Sequence, residues 1–162
     1  MEKMKNNLKV QLLLFVLTCP WSQVNGWECV NGNCYYFSNH TARWLNARQY
    51  CLDKGADLAV PFSKANNDYL YSIMCRKGIN KTFIGLFKTA PGLGSKFYKI
   101  DGHIQDFFYW GNMQPGNLGG NEDFVEMIAS DPFYTGRIHN DVPCSDERHF
   151  ICHIAGSCKD GK

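Results

Sequence analysis

The stretch Trp110-Gly-Asn-Met-Gln-Pro-Gly-Asn-Leu-Gly-Gly-Asn-Glu-Asp-Phe-Val-Glu-Met127 starts as a glycine-rich polar loop and ends as a half-apolar strand. Its amide and carboxylate side chains, Gln114, Asn117, Asn121, Glu122 and Asp123, surround small turns. Oxygen-rich loops of this kind are what a hard cation such as calcium needs. A second oxygen pair, Asn140 and Asp141, lies further on. Asn, Asp and Gly also dominate ordinary solvated turns, so the surroundings of the loop decide its meaning. Residues 103–122 lack any periodicity, and an unpatterned segment of that length inside a compact domain is usually functional.

Outward towards the N-terminus, residues 1–26 read as a signal peptide: Lys3, Lys5 and Lys9 precede an apolar run from Val10 to Leu17 and a polar exit at Val24-Asn25-Gly26. The apolar run is far shorter than the roughly 20 residues of a spanning helix, so a secreted, extracellular chain without membrane insertion is expected. Removing the leader takes three of the 17 basic and one of the 15 acidic side chains, leaving 14 of each. The whole-chain charge of +2 therefore belongs to the leader. Lys and Arg are not clustered as nucleic-acid binding requires. The mature length fits one domain with a sizeable core, which we place over residues 27–158, with 159–162 as a short polar tail.

Eight cysteines less Cys19 of the leader leave seven, an odd number, and in an exported chain they read as a disulfide framework with at least one thiol unpaired or shared between chains. Asn31-Gly32, a strong two-residue hairpin signal, lies midway between Cys29 and Cys34 and predicts their bridge. The sequons at Asn39 and Asn80 agree with export and predict surface positions.

The remaining pattern gives a short aromatic strand at residues 34–37, then a helix over 42–54 with Thr41 as its N-cap, with Trp44, Ala47 and Cys51 inward and Gly55 as its stop. A second helix runs from after Ser63 to Gly78. Strands are expected over residues 82–87, 96–100, 124–128, 138–140 and 149–153. Two early helices followed by short strands indicate an α+β domain.

At Phe83-Ile84-Gly85-Leu86, Trp110, Gln114-Pro115-Gly116-Asn117, Glu122-Asp123 and His139-Asn140-Asp141-Val142-Pro143-Cys144, with Cys152 eight residues on, the chain resembles the C-type lectin-like domain. The likeness runs from about Cys34 to His153. It implies two helices and two small antiparallel sheets, a long ligand-binding loop region and a Cys51–Cys152 bridge from the first helix to the last strand. It also implies a calcium ion held by Gln114, Glu122, Asn140 and Asp141, and a cis bond before Pro115. The sugar, carried on free carbohydrate or on glycoprotein glycans, would meet Gln114, Asn117, Glu122 and Asn140. Members with Gln at the first motif position favour galactose-type hydroxyls, because exchanging carboxylate for amide exchanges acceptor for donor. Phe133 or Tyr134, in an insertion at 131–136, is the candidate for stacking on the sugar.

Three departures stand beside this likeness. Gly116 replaces an oxygen-bearing residue. Lys88 falls where an acidic ligand of an auxiliary calcium site is expected, so that site should be absent. Phe124 replaces a cysteine, leaving Cys144 without its usual partner. We pair Cys75 with Cys158, which leaves Cys144 buried and reduced or bonded to another chain in a disulfide-linked homodimer; Cys75–Cys144 stays open as the alternative. His149 and His153 read as structural, and His139 and Trp110 as packing residues. An enzyme is not expected, since no nucleophile and base fall in a defensible pattern. The functional expectation is a calcium-dependent, galactose-leaning lectin, and the alternative is a lectin-like domain that binds protein or another non-sugar ligand without calcium.

Overall fold

Asn31 and Gly32 take φ values of 48° and 76° in this computed structural model, which describes residues 26–89, 96–129 and 138–156. Left-handed values at both positions suit a tight hairpin turn, and Asn and Gly tolerate them best. The turn joins β1 (Trp27–Val30) to β2 (Asn33–Phe37). Cys29 faces Cys34 across the pair, and their sulfurs are bonded.

Helix α1 spans Trp44–Asp53 and helix α2 spans Lys64–Lys77. Ser63 caps α2 by accepting a 3.1 Å hydrogen bond from the Asn66 N–H, and Gly78 ends it in the left-handed conformation. Thr41 does not cap α1. Arg43 holds that position without a side-chain cap, because Ala42 is drawn into an extended bridge with Arg148 and the helix starts only beyond it.

The remaining strands are β3 (Asp57–Leu58), β4 (Lys81–Lys88), β5 (Phe97–Lys99), β6 (Phe124–Ile128), β7 (Ile138–Val142) and β8 (His149–Ala155). The expected α+β layout with two helices is found, and of the two small antiparallel sheets expected, both groups form but are joined to each other. Strands β4 and β8 pair in parallel at Thr82↔His149 and Phe83↔Phe150, so the described strands form one mixed sheet in the order β1-β2-β8-β4-β6-β7, with β3 on β8 and β5 on β4. A parallel contact this short between strands distant in sequence leaves no local pattern to read.

The sheet is covered on both faces. Phe83, Phe150 and Cys152 pack with Trp44, Ala47 and Cys51 of α1, while Ile84, Leu86 and Ile151 pack with Leu70, Ile73 and Met74 of α2. Burial on two sides explains why β4 and β8 read as apolar runs rather than alternating ones. The Cys51–Cys152 bridge ties α1 to β8 across 101 residues, as the family likeness implies. At Gly85 a Cβ would come within 2.8 Å of the Leu58 carbonyl oxygen, 3.0 Å of Val60 and 3.1 Å of Ile100. Glycine is needed there for close backbone approach, and its N–H bonds the Ala59 carbonyl at 2.8 Å.

Among the described residues Cys75 and Cys144 have no disulfide partner and are exposed, so the Cys75–Cys144 pairing is not made, and Cys144 is not buried as expected. Cys158, Phe133, Tyr134 and nearly all of the leader lie outside the described residues. Asn39 and Asn80 are exposed. Among the described residues no helix is long and apolar enough to cross a membrane.

Candidate functional site

Strand β7 decides where the second oxygen pair points. The strand continues to Val142 rather than stopping at Asn140, and neighbours on an extended strand project from opposite faces. Asn140 sits opposite Glu126 on β6 and donates from Nδ2 to its Oε1 at 3.0 Å. The second oxygen of the buried Glu126 accepts from Arg148 Nε, and Arg148 also binds Asp146 at 2.6 Å. Asn140 is thereby tied into a carboxylate–guanidinium network on the α1 side of the sheet.

Asp141 faces the other way and is fully buried. Its Oδ1 accepts from the Gly116 N–H at 2.8 Å, and its Oδ2 accepts from the Asn117 N–H at 2.9 Å. Two successive loop amides therefore close on one carboxylate, which fixes the turn from beneath. Asn117 takes the left-handed conformation, and a single 3-10 turn at Leu118–Gly120 follows. The Gln114–Pro115 bond is cis. Gln114 Oε1 accepts from the Gly116 N–H at 2.7 Å, the Glu122 side chain accepts from the Leu118 N–H, and the Glu122 N–H donates to Asn117 Oδ1 at 3.3 Å. Burial raises the Glu122 carboxyl above its ordinary value, the Leu118 N–H opposes that, and the nearby Asp141 charge adds to it.

These bonds test the fit of calcium. Gln114, Glu122, Asn140 and Asp141 each spend oxygens or amide hydrogens on protein partners, and Asn140 and Asp141 leave the sheet on opposite sides. Among the described residues no group of three His, Cys, Asp or Glu side chains is placed to hold a metal ion. The side chains as they stand do not fit the ion that the likeness implies.

A residue assigned no contact with the loop completes this centre. Lys88, the last residue of β4, has a side chain only 3% exposed; its Nζ lies 3.0 Å from Asp141 Oδ2 and 2.8 Å from the Glu122 carbonyl oxygen. It also stands 4.8 Å from the centre of the Phe97 ring, its cross-strand partner. The signal that could have found it is a lysine directly after the apolar run Phe83–Phe87, since charged residues are almost never buried unless paired.

The aromatic residues around the loop are structural. Trp110 stacks on Phe108 at 4.7 Å and tilts against Phe97. His139 is fully buried, its Nε2 2.9 Å from Asn67 Oδ1, and burial pushes its pKa down to about 3. His149 meets the Ser38 carbonyl and His153 meets Asn33, so neither is placed as a ligand. Phe124, standing where a cysteine was expected, stacks on the buried Trp44 at 4.7 Å and braces the loop exit by packing.

A family model described as the lectin C-type domain matches residues 40–154. The chain is 30% identical over 142 residues to the C-type lectin domain family 4 member G of Mus musculus, covering 86% of this chain and 44% of that protein, so it spans less than half the length of this relative. The carbohydrate-recognition domain of the mouse scavenger receptor C-type lectin superposes with a TM-score of 0.70 at 25% identity, covering 82% of this chain and 98% of that one. The murine dendritic cell inhibitory receptor 2 domain, solved in complex with N-glycan, superposes with a TM-score of 0.71 at 24% identity, covering 83% and 99%.

Proposed function

We propose the function from one premise: this chain belongs to the family of C-type lectin domains. Carbohydrate binding is the role its relatives support, and we assign it to the 114–122 loop. The observation that carries this is the placement of Gln114, Asn117 and Glu122, all part-exposed, on one turn pinned from beneath by Asp141. Amide donors and a carboxylate acceptor held on a fixed backbone can address neighbouring sugar hydroxyls without ordering a mobile segment first. Gln114 supports a lean towards galactose-type sugars, and a bound N-glycan in the inhibitory receptor structure is consistent with glycans as the ligand class. Phe133 and Tyr134 are retained as stacking candidates.

Calcium is the cofactor the family implies. Because Asn140 and Asp141 are engaged apart from each other, we propose that the side chains contact the sugar directly. Export, glycosylation at Asn39 and Asn80, and a disulfide-linked dimer through Cys144 belong to the same proposal.

The experiment is retention of the mature domain on galactose and mannose matrices, first with calcium and then with chelator. Retention on galactose above mannose is expected, with Gln114→Glu reducing that preference. Failure to bind either sugar under both conditions overturns the sugar reading in favour of a protein or other non-sugar ligand. The Lys88–Asp141 pair keeps that second reading open, since it gives the loop a fixed shape without a metal-bridged sugar.

A further inference from the structure

We propose that Lys88 is a built-in cation that organises the 114–122 loop in place of a metal ion, so that the loop holds its shape without calcium and Asp141 is closed to divalent ions. The inference deepens the lectin reading and rests on it only for the identity of the loop as the ligand site.

Three observations converge on it. First, the ammonium and the carboxylate are both buried, with side-chain exposures of 3% and 0%, and lie 3.0 Å apart. Second, the same Nζ holds the Glu122 carbonyl oxygen at 2.8 Å, so one cation joins the ends of β4 and β7 and the exit of the loop. Third, the Asp141 carboxylate that Lys88 neutralises also receives the Gly116 and Asn117 amides, so the loop's conformation depends on this carboxylate staying charged and in place. A divalent ion brought to these oxygens would meet a resident positive charge at short range, where the screening of bulk water is missing. The ammonium cannot swing out cheaply, because its side chain is buried, its Nζ lies 4.8 Å from the Phe97 ring centre, and its departure would strand Asp141.

Lys88 thus acts as a positioning residue for the loop, and its consequences are measurable apart from sugar binding. The mature, disulfide-intact domain is melted in millimolar calcium and in chelator, and calcium alone is titrated into it by calorimetry. The wild type should show no heat of binding and a Tm change under about 1 °C. Lys88→Met should lower Tm by roughly 10 °C and make the loop the first site of proteolytic cleavage, while Lys88→Arg should retain most of the loop's resistance. Lys88→Asp should gain a calcium-dependent rise in Tm. A wild-type Tm that rises several degrees in calcium overturns the proposal, and that measurement needs no variant to fold. A Lys88→Met loop as resistant as wild type overturns it equally. Loss of sugar retention with calcium-indifferent melting would refute the proposed function and leave Lys88 as assigned; calcium-dependent melting with sugar retention would do the reverse.

Discussion

The two ends of the sheet are held by different chemistry. At the β1-β2-β8 end, two covalent bridges fix the hairpin and α1 to the last strand. At the β4-β6-β7 end, where the loop sits, the described residues carry no disulfide, and the same task falls to the buried Lys88–Asp141 pair and the Trp44–Phe124 stack. The covalent end is stabilised largely through restriction of the unfolded chain. The polar end draws on interactions that exist only when every partner is present, because a buried charge left alone is costly. The first arrangement tolerates local error, and the second specifies one conformation.

The sharpest way to break the contrast is at the covalent end. Replacing Cys51 and Cys152 together with alanine releases a loop of 101 residues and should cost about 4–5 kcal/mol in the entropic model, read by urea denaturation. Next, Asp141→Ala leaves Lys88 buried without its partner and should cost about 3–5 kcal/mol. Its mark is selective: amides of 114–122 should lose protection in hydrogen exchange while those of β1 and β2 keep it, and uniform loss would mean the two ends are not separable.

A pH dependence comes third. His139 is kept neutral in the folded state, its pKa pushed from 6.5 down to about 3 by burial, so the unfolded chain takes up the proton first. Its contribution is complete above about pH 6.5 and is lost as pH falls towards 3, by up to about 1.4 kcal/mol per unit. Between pH 6.5 and 5 the wild type should therefore lose about 2 kcal/mol more than His139→Gln, measured by denaturant midpoints. The smallest effect belongs to the Cys29–Cys34 bridge, which spans only five residues. Its double alanine variant should cost about 2 kcal/mol and leave sugar retention unchanged.

The parts that were legible in the sequence are those specified by neighbours in the chain. The Asn31-Gly32 turn, the start of the second helix after Ser63 and its stop at Gly78 each depend on one or two residues, and each formed as predicted. Cys51–Cys152 followed from family likeness. What escaped depends on register and long-range pairing. Asn140 and Asp141 were read as one ligand pair, yet two more residues of strand sent them to opposite faces. Lys88 was read only as the absence of an acidic ligand. Its partner lies 53 residues away, so the lysine that closes the apolar run can flag burial locally but cannot say which carboxylate answers it. Strand β3, two residues long, carries too little pattern to detect.

Gly85 sets a limit on how far this division can be rewritten. The backbone of β4 crosses Leu58 and Ala59 there with no room for a methyl group, so the crossing is a fixed point to which both ends are registered. Descendants of this chain can rewrite residues 110–123 for new ligands, or exchange a salt bridge for packing, without moving the rest, provided this one position does not drift. Diversification should therefore run far at the loop and almost not at all at the crossing.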